Sequence, residues 1–220
     1  MIIFAQIAQF SMKNFIVMAD IIESQKQPSK QLMRDFQGVV KSINFKYKKH
    51  LLSPLTITLG DEFQGVLRSY DSALRLILEM EEDIMKQGGK FKLRYVLNYG
   101  DIETKLNHEI AYGMMGRGLT KSREALAELK NTDVRFLVIL DSKTDADIMN
   151  KLFRLYDSVV SEWRGKDLDY VRLFLDNKTY QEVAQELGVN LTSAWRRLRS
   201  LKMEDYYICK SLILKISERK

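Results

Sequence analysis

Residues 55–67 read Leu55-Thr-Ile-Thr-Leu-Gly60-Asp61-Glu62-Phe-Gln-Gly-Val-Leu67, two short apolar arms joined at a Gly-Asp-Glu turn. Gly and Asp tolerate the dihedral angles a tight connection demands, so the stretch predicts a β-hairpin with Leu55–Leu59 and Gln64–Leu67 as its arms. It also sets two adjacent carboxylates at the tip of the most hydrophobic part of the chain.

Working outward, Asn14–Ala19 is a continuous apolar run ending at Asp20, which predicts a buried strand. Ser29 is placed to cap a helix reaching about Lys48, with Leu32, Phe36, Val39, Val40 and Ile43 on one face. Downstream come an amphipathic helix over Tyr70–Lys86 closed by Gly88-Gly89, an alternating strand over Lys92–Tyr99, a short strand near Ile110–Tyr112, a helix over Leu119–Leu129 and a strand over Arg135–Leu140. That order predicts an α+β fold: a ferredoxin-like, palm-type βαββαβ domain over residues 12–141. After Asp141 the pattern is helical only. It predicts a linking helix within 142–166, with Ile148, Leu152, Leu155, Tyr156 and Val159 on its apolar side, and an all-α unit over 167–220.

A net charge of +6 and a pI near 9.2 permit an anionic partner without requiring one. The lone Cys209 excludes an internal disulfide and any cysteine-cluster metal site, which points to a reducing cytoplasm. His50 and His108 are too few and too scattered for a zinc site. Met1–Phe10 is apolar but too short to span a bilayer and lacks a basic flank, so no membrane is expected and Met12 reads as the initiator.

In a βαββαβ sheet the first strand and the hairpin arm before its turn are expected to lie side by side. Asp20 and Asp61 then meet at one sheet edge. Two carboxylates about 4 Å apart repel by roughly 4 kcal/mol at an effective dielectric near 20, and a bound cation reverses that cost. Mg²⁺ or Mn²⁺ held by one or two carboxylates takes its remaining ligands from water and substrate phosphates, so the pair predicts a nucleotide. Glu62 and Asp101 are weaker candidates that read first as exposed turn acids, and Arg94, Lys121 and Arg123 are the cations available to a triphosphate. The segment from Asp20 to Ser29 is a second candidate phosphate cradle. Taken singly, each acid is better explained as turn or capping chemistry; the pairing is what points to function.

Met18-Ala-Asp20-Ile-Ile resembles the Phe-x-Asp-Ile/Val element of class III nucleotidyl cyclases, and Leu59-Gly-Asp61-Glu-Phe63 resembles their Gly-Asp hairpin and, short of one glycine, the Gly-Gly-Asp-Glu-Phe turn of diguanylate cyclases. Leu93–Asp101 is similar to the cyclase strand ending in Gly-Asp. The resemblance covers about Asn14–Leu140 and implies Asp20 and Asp61 as metal ligands. Gly113–Leu126 is similar to the segment where cyclases keep a ribose-orienting Asn and a transition-state Arg. It implies Arg123 as the catalytic candidate but sets Leu119 where the Asn belongs.

Thr179–Arg199 forms a second pattern. A helix from Thr179 is expected to bury Val183, Ala184 and Leu187, Gly188 to make a tight turn, and Asn190 to cap a helix burying Ala194, Leu198 and Leu201. This resembles the helix-turn-helix of sigma-factor region four. The likeness implies binding of double-stranded DNA through Asn190, Thr192, Ser193, Arg196, Arg197 and Arg199. The alternative is a small helical bundle whose basic face is solvated or docked on the first domain. As a whole the chain resembles the bacterial SatD family. Together these readings imply a DNA-binding transcription regulator, working as a homodimer, whose first domain binds a nucleoside triphosphate or cyclic nucleotide with Mg²⁺. The alternative is an active nucleotidyl cyclase or nucleotidyltransferase.

Overall fold

The computed structural model describes residues 12–23 and 30–218. The expectations for Met1–Phe10, for the segment 24–28 and for Ser29 as a cap therefore lie outside the described residues. Five strands form one sheet: β1 (Met12–Ile21), β2 (Leu51–Ile57), β3 (Glu62–Leu67), β4 (Leu93–Ile102) and β5 (Phe136–Ile139), in the order β2-β3-β1-β4-β5. β1 is antiparallel to both β3 and β4, and β5 is parallel to β4. The first four strands have the ferredoxin-like order of a palm domain, with β5 added at one edge.

The hairpin forms where the sequence put it, with Gly60 at φ +85°, a region costly for a residue with a Cβ. Its orientation differs from expectation. The arm after the turn, β3, lies beside β1, while β2 is the sheet edge. The crossover through α1 (Lys30–Lys46) sets β2 two places from β1 and leaves the place between them for the returning arm. Apolar periodicity is the same for either arm, so it does not choose between them. β2 carries Pro54 and two register shifts, which an edge strand tolerates.

α1 buries Leu32, Phe36, Val39, Val40 and Ile43, and α2 (Tyr70–Lys86) starts with a Ser69/Ser72 capping box. Both cover one sheet face, over Val17, Ala19, Phe63, Leu93 and Tyr95. α3 (Arg117–Leu129) covers the other face, over Ile16, Met18, Val66 and Val96. A close backbone approach docks α3 on β4: a Cβ on Gly118 would lie 2.6 Å from the Gly100 carbonyl carbon. Beside it the buried Asn98 amide donates to the Gly118 carbonyl at 2.9 Å and to the Ser122 hydroxyl oxygen at 3.1 Å.

The strand expected at 110–112 is absent. There the Thr56 hydroxyl accepts the Ala111 N–H at 2.8 Å and Asn107 Oδ1 accepts the N–H groups of Glu109 and Ile110, so side chains replace a ladder.

After β5, α4 (Lys143–Val160) packs on the α1/α2 side of the sheet. Its buried stripe is Met149, Phe153, Tyr156, Val159 and Val160; Ile148 and Leu155, expected inside, are exposed. Phe136 stacks on Phe153, which turns the helix by about one position. The Asn150 amide bonds both the N–H and the C=O of Val138, closing the outer edge of β5. A 3₁₀ turn at Gly165–Asp167 leads to α5 (Leu168–Leu175), α6 (Tyr180–Leu187), α7 (Leu191–Ser200) and α8 (Met203–Ser217). Thr179 and Asn190 cap α6 and α7 as predicted, and Val183, Ala184, Ala194 and Leu201 are buried. Tyr206 on α8 packs on Tyr156 and Trp163, and the Trp163 indole donates to the Leu201 carbonyl at 2.9 Å. One continuous apolar cluster thus runs from the sheet through α2 and α4 to α8.

Candidate functional site

The three central strands end together, and their registers bring three charged side chains into one row. Asp20 on β1 lies opposite Glu62 on β3 and opposite Arg94 on β4. Strand alternation turns all three toward the α3 face, the side of Met18 and Val96. Arg94 Nη1 donates to both oxygens of the Asp20 carboxylate at 3.0 and 3.1 Å. The Lys130 ammonium, just past the end of α3, reaches the same carboxylate at 3.1 Å. Asp20 is 2% exposed and the Arg94 side chain 10%, whereas the Lys130 side chain is 50% exposed. The core of the cluster is therefore dry and one of its cations stands in water.

Glu62 is buried beside this pair, and the Thr58 hydroxyl donates to it at 3.4 Å. Burial pushes its carboxyl above the usual range; Lys130 and Arg123 oppose that shift, and the Asp20 charge adds to it. Arg123 projects from α3 to the Gln64 side-chain oxygen at 3.4 Å, and the Gln64 amide donates to the Ala111 carbonyl. Two acids, Asp20 and Glu62, thus face three cations, Arg94, Lys130 and Arg123.

Asp61 sits at the hairpin turn, where its carbonyl accepts the Ile21 N–H at 2.9 Å and extends the β1–β3 ladder past Asp20. Among the described residues no group of three or more His, Cys, Asp and Glu is arranged to hold a metal ion. In kind, the carboxylate oxygens of Asp20 and Asp61 fit Mg²⁺ or Mn²⁺, which need only one or two of them when phosphate and water complete the shell. Both Asp20 oxygens accept from Arg94 and one also meets Lys130, so a cation there would share the carboxylate with Arg94 and displace Lys130, whose side chain is half exposed.

Residues 14–214 match the SatD family. The chain belongs to the SatD family. No curated protein matches it. Solved structures similar to it include the guanylyl cyclase Cya2, with a TM-score of 0.41 and 12% identity over 54% of this chain and 71% of that one. A bacterial light-regulated adenylyl cyclase gives 0.42 and 12%, over 58% of this chain and 43% of that one. The catalytic core of a rhodopsin-guanylyl cyclase with converted specificity, in complex with ATPalphaS, gives 0.43 and 15%, over 62% and 83%.

Of the residues singled out in the sequence, this SatD-family chain gathers Asp20, Glu62 and Arg94 directly, with Arg123 at the rim. Lys121 is exposed two residues before Arg123, on a different side of α3. Lys130 is the residue that sequence reading missed: it follows the last apolar position of its helix, where a lysine ordinarily reads as solvated C-terminal charge. In the helical part Asn190 is used as a cap, accepting the Ser193 N–H at 2.8 Å. Arg197 is bound to the buried Asp167 at 3.0 Å and lies over the Tyr170 ring, and Arg199 is bound to Glu204 at 2.6 Å. Thr192, Ser193, Trp195 and Arg196 are exposed. Among the described residues no helix is long and apolar enough to cross a membrane.

Proposed function

We propose that the edge around Asp20 binds the phosphates of a nucleotide. The observation that carries this reading is the buried Asp20–Arg94 pair, met from the solvent side by Lys130. A desolvated ion pair adds little to stability compared with apolar residues of the same volume, so its presence at the ends of the central strands needs a reason other than folding. Arg94, Lys130 and Arg123 supply charge for a polyphosphate. Asp20 holds the first two in place while the site is empty, and Lys130 turns from Asp20 to phosphate as the ligand enters. A divalent ion held by Asp20 and Asp61 would supply the charge neutralisation that a triphosphate requires.

Thermal-shift titration with ATP, GTP and their cyclic products, with and without Mg²⁺ or Mn²⁺, tests the reading. A ligand at about 100 times its dissociation constant adds ~2.7 kcal/mol of stability. The expected outcome is stabilisation by a nucleotide that is lost in Lys130→Ala and, for its metal-dependent part, in Asp61→Asn. Stabilisation by none of them refutes it. Release of pyrophosphate from a bound triphosphate, abolished by Asp61→Asn, would make the protein a nucleotidyl cyclase or transferase rather than a binder.

A second reading, duplex DNA binding by α7, is favoured by the exposure of Thr192, Ser193 and Arg196 on a capped helix that contains no acid. With Arg197 and Arg199 held by Asp167 and Glu204, Arg196 carries most of the expected phosphate contact. Arg196→Ala is expected to lower the salt slope of duplex binding by about 1. No retention of duplex even at low ionic strength removes this reading.

A further inference from the structure

α8 is apolar on two sides. Its inner side buries Met203, Tyr206, Cys209 and Ile213, while Ile208 and Leu212 on the outer side are 57% and 43% exposed. A helix with apolar residues on both sides is covered on both when the assembly is complete. Asp205 and Lys215 flank the exposed pair at spacings of three, four and three residues, so Asp205, Ile208, Leu212 and Lys215 form one stripe. Both charges are exposed, and neither belongs to an ion pair among the described residues.

The stripe is symmetric about position 210. Paired antiparallel with itself, it sets Ile208 against Leu212 and Asp205 against Lys215, each contact occurring twice. A twofold interface requires this kind of self-complementarity. α4, which packs against α8 through Tyr156 and Tyr206, also carries exposed apolar residues, Ile148 and Leu155.

We propose that α8 is a homodimer interface, packing antiparallel on α8 of a second copy. The partner is a second copy because the charges at the two ends of the stripe complement each other. A different protein would need no such match within one chain.

Sedimentation velocity of the full chain from roughly 1 to 100 μM tests this. The expected result is a concentration-dependent dimer. Ile208→Glu/Leu212→Glu is expected to be monomeric. Asp205→Lys puts like charges together at both symmetry-related contacts and is expected to weaken association at least about tenfold. The double swap Asp205→Lys/Lys215→Asp rebuilds both pairs in reverse and is expected to restore the wild-type dissociation constant. These surface charge variants keep the buried side of α8 intact, so a folding defect in the glutamate variant leaves the test standing. A monomeric wild-type chain at the highest concentration, a dimer that survives the two glutamates, or a double swap no tighter than Asp205→Lys each overturns the proposal.

Discussion

Replacing Asp20 by Asn leaves the side chain its shape and removes its charge, so the change isolates what the carboxylate does for Arg94. The Arg94 side chain is 10% exposed and donates to both oxygens of the Asp20 carboxylate. Removing one partner of a buried ion pair costs about 3–5 kcal/mol, because the other charge stays out of water. Lys130, half exposed, swings into solvent and escapes that penalty, which puts the expected cost near 3 kcal/mol. With a urea m-value of about 2.5 kcal/mol/M for a chain of this size, the unfolding midpoint should fall by about 1.2 M. Lys130→Ala should cost less than about 1 kcal/mol, since its pair is open to water on one side. Adding Arg94→Met to Asp20→Asn should return most of the loss, because the stranded charge goes with it. Equilibrium urea denaturation of the four proteins by circular dichroism reads all of these values. An Asp20→Asn cost below about 1 kcal/mol, or an Arg94→Met change that makes matters worse, would mean the cluster is hydrated and the reasoning from burial is mistaken.

Two further outcomes follow from other parts of the fold. Gly118→Ala drives a methyl group into the Gly100–Asp101 backbone. It is expected to cost about 1–3 kcal/mol in the same denaturation assay, with loss of nucleotide stabilisation where the shift in α3 carries Lys130 away. Burial pushes the Cys209 thiol above its ordinary range. Labelling with a thiol reagent at pH 8 should therefore be slow in the native chain and immediate in denaturant; equal rates would place the thiol at the surface.

How much of this was legible in the sequence depends on the range of the interactions. Strand and helix identities rest on local patterns, and β1, the hairpin, α1, α2 and β4 follow from them, down to the five buried residues of α1. Which hairpin arm meets β1 is a matter of crossover geometry, and periodicity carries no information about it. The residues at 110–112 pattern like a strand, but Thr56 and Asn107 intercept their N–H groups from elsewhere. Asp20 was legible as an acid at the end of its strand, whereas Glu62 read as an exposed turn acid and is buried. That Arg94 and Lys130 neutralise Asp20 was not legible, because those partners lie 74 and 110 positions away. Arg197 read as a free cation for the same reason, since Asp167 is 30 positions away.

The contact between Gly100 and Gly118 makes α3 a lever. With no side chain between helix and strand, the two backbones touch near the first turn, and Lys130 lies 12 residues farther along, about 18 Å by the rise of the helix. A rotation of about 5° at that fulcrum moves the ammonium by about 1.6 Å, enough to take it off Asp20. A small tilt at one end of α3, whatever causes it, is thereby amplified at the other into an open or a closed ionic cluster.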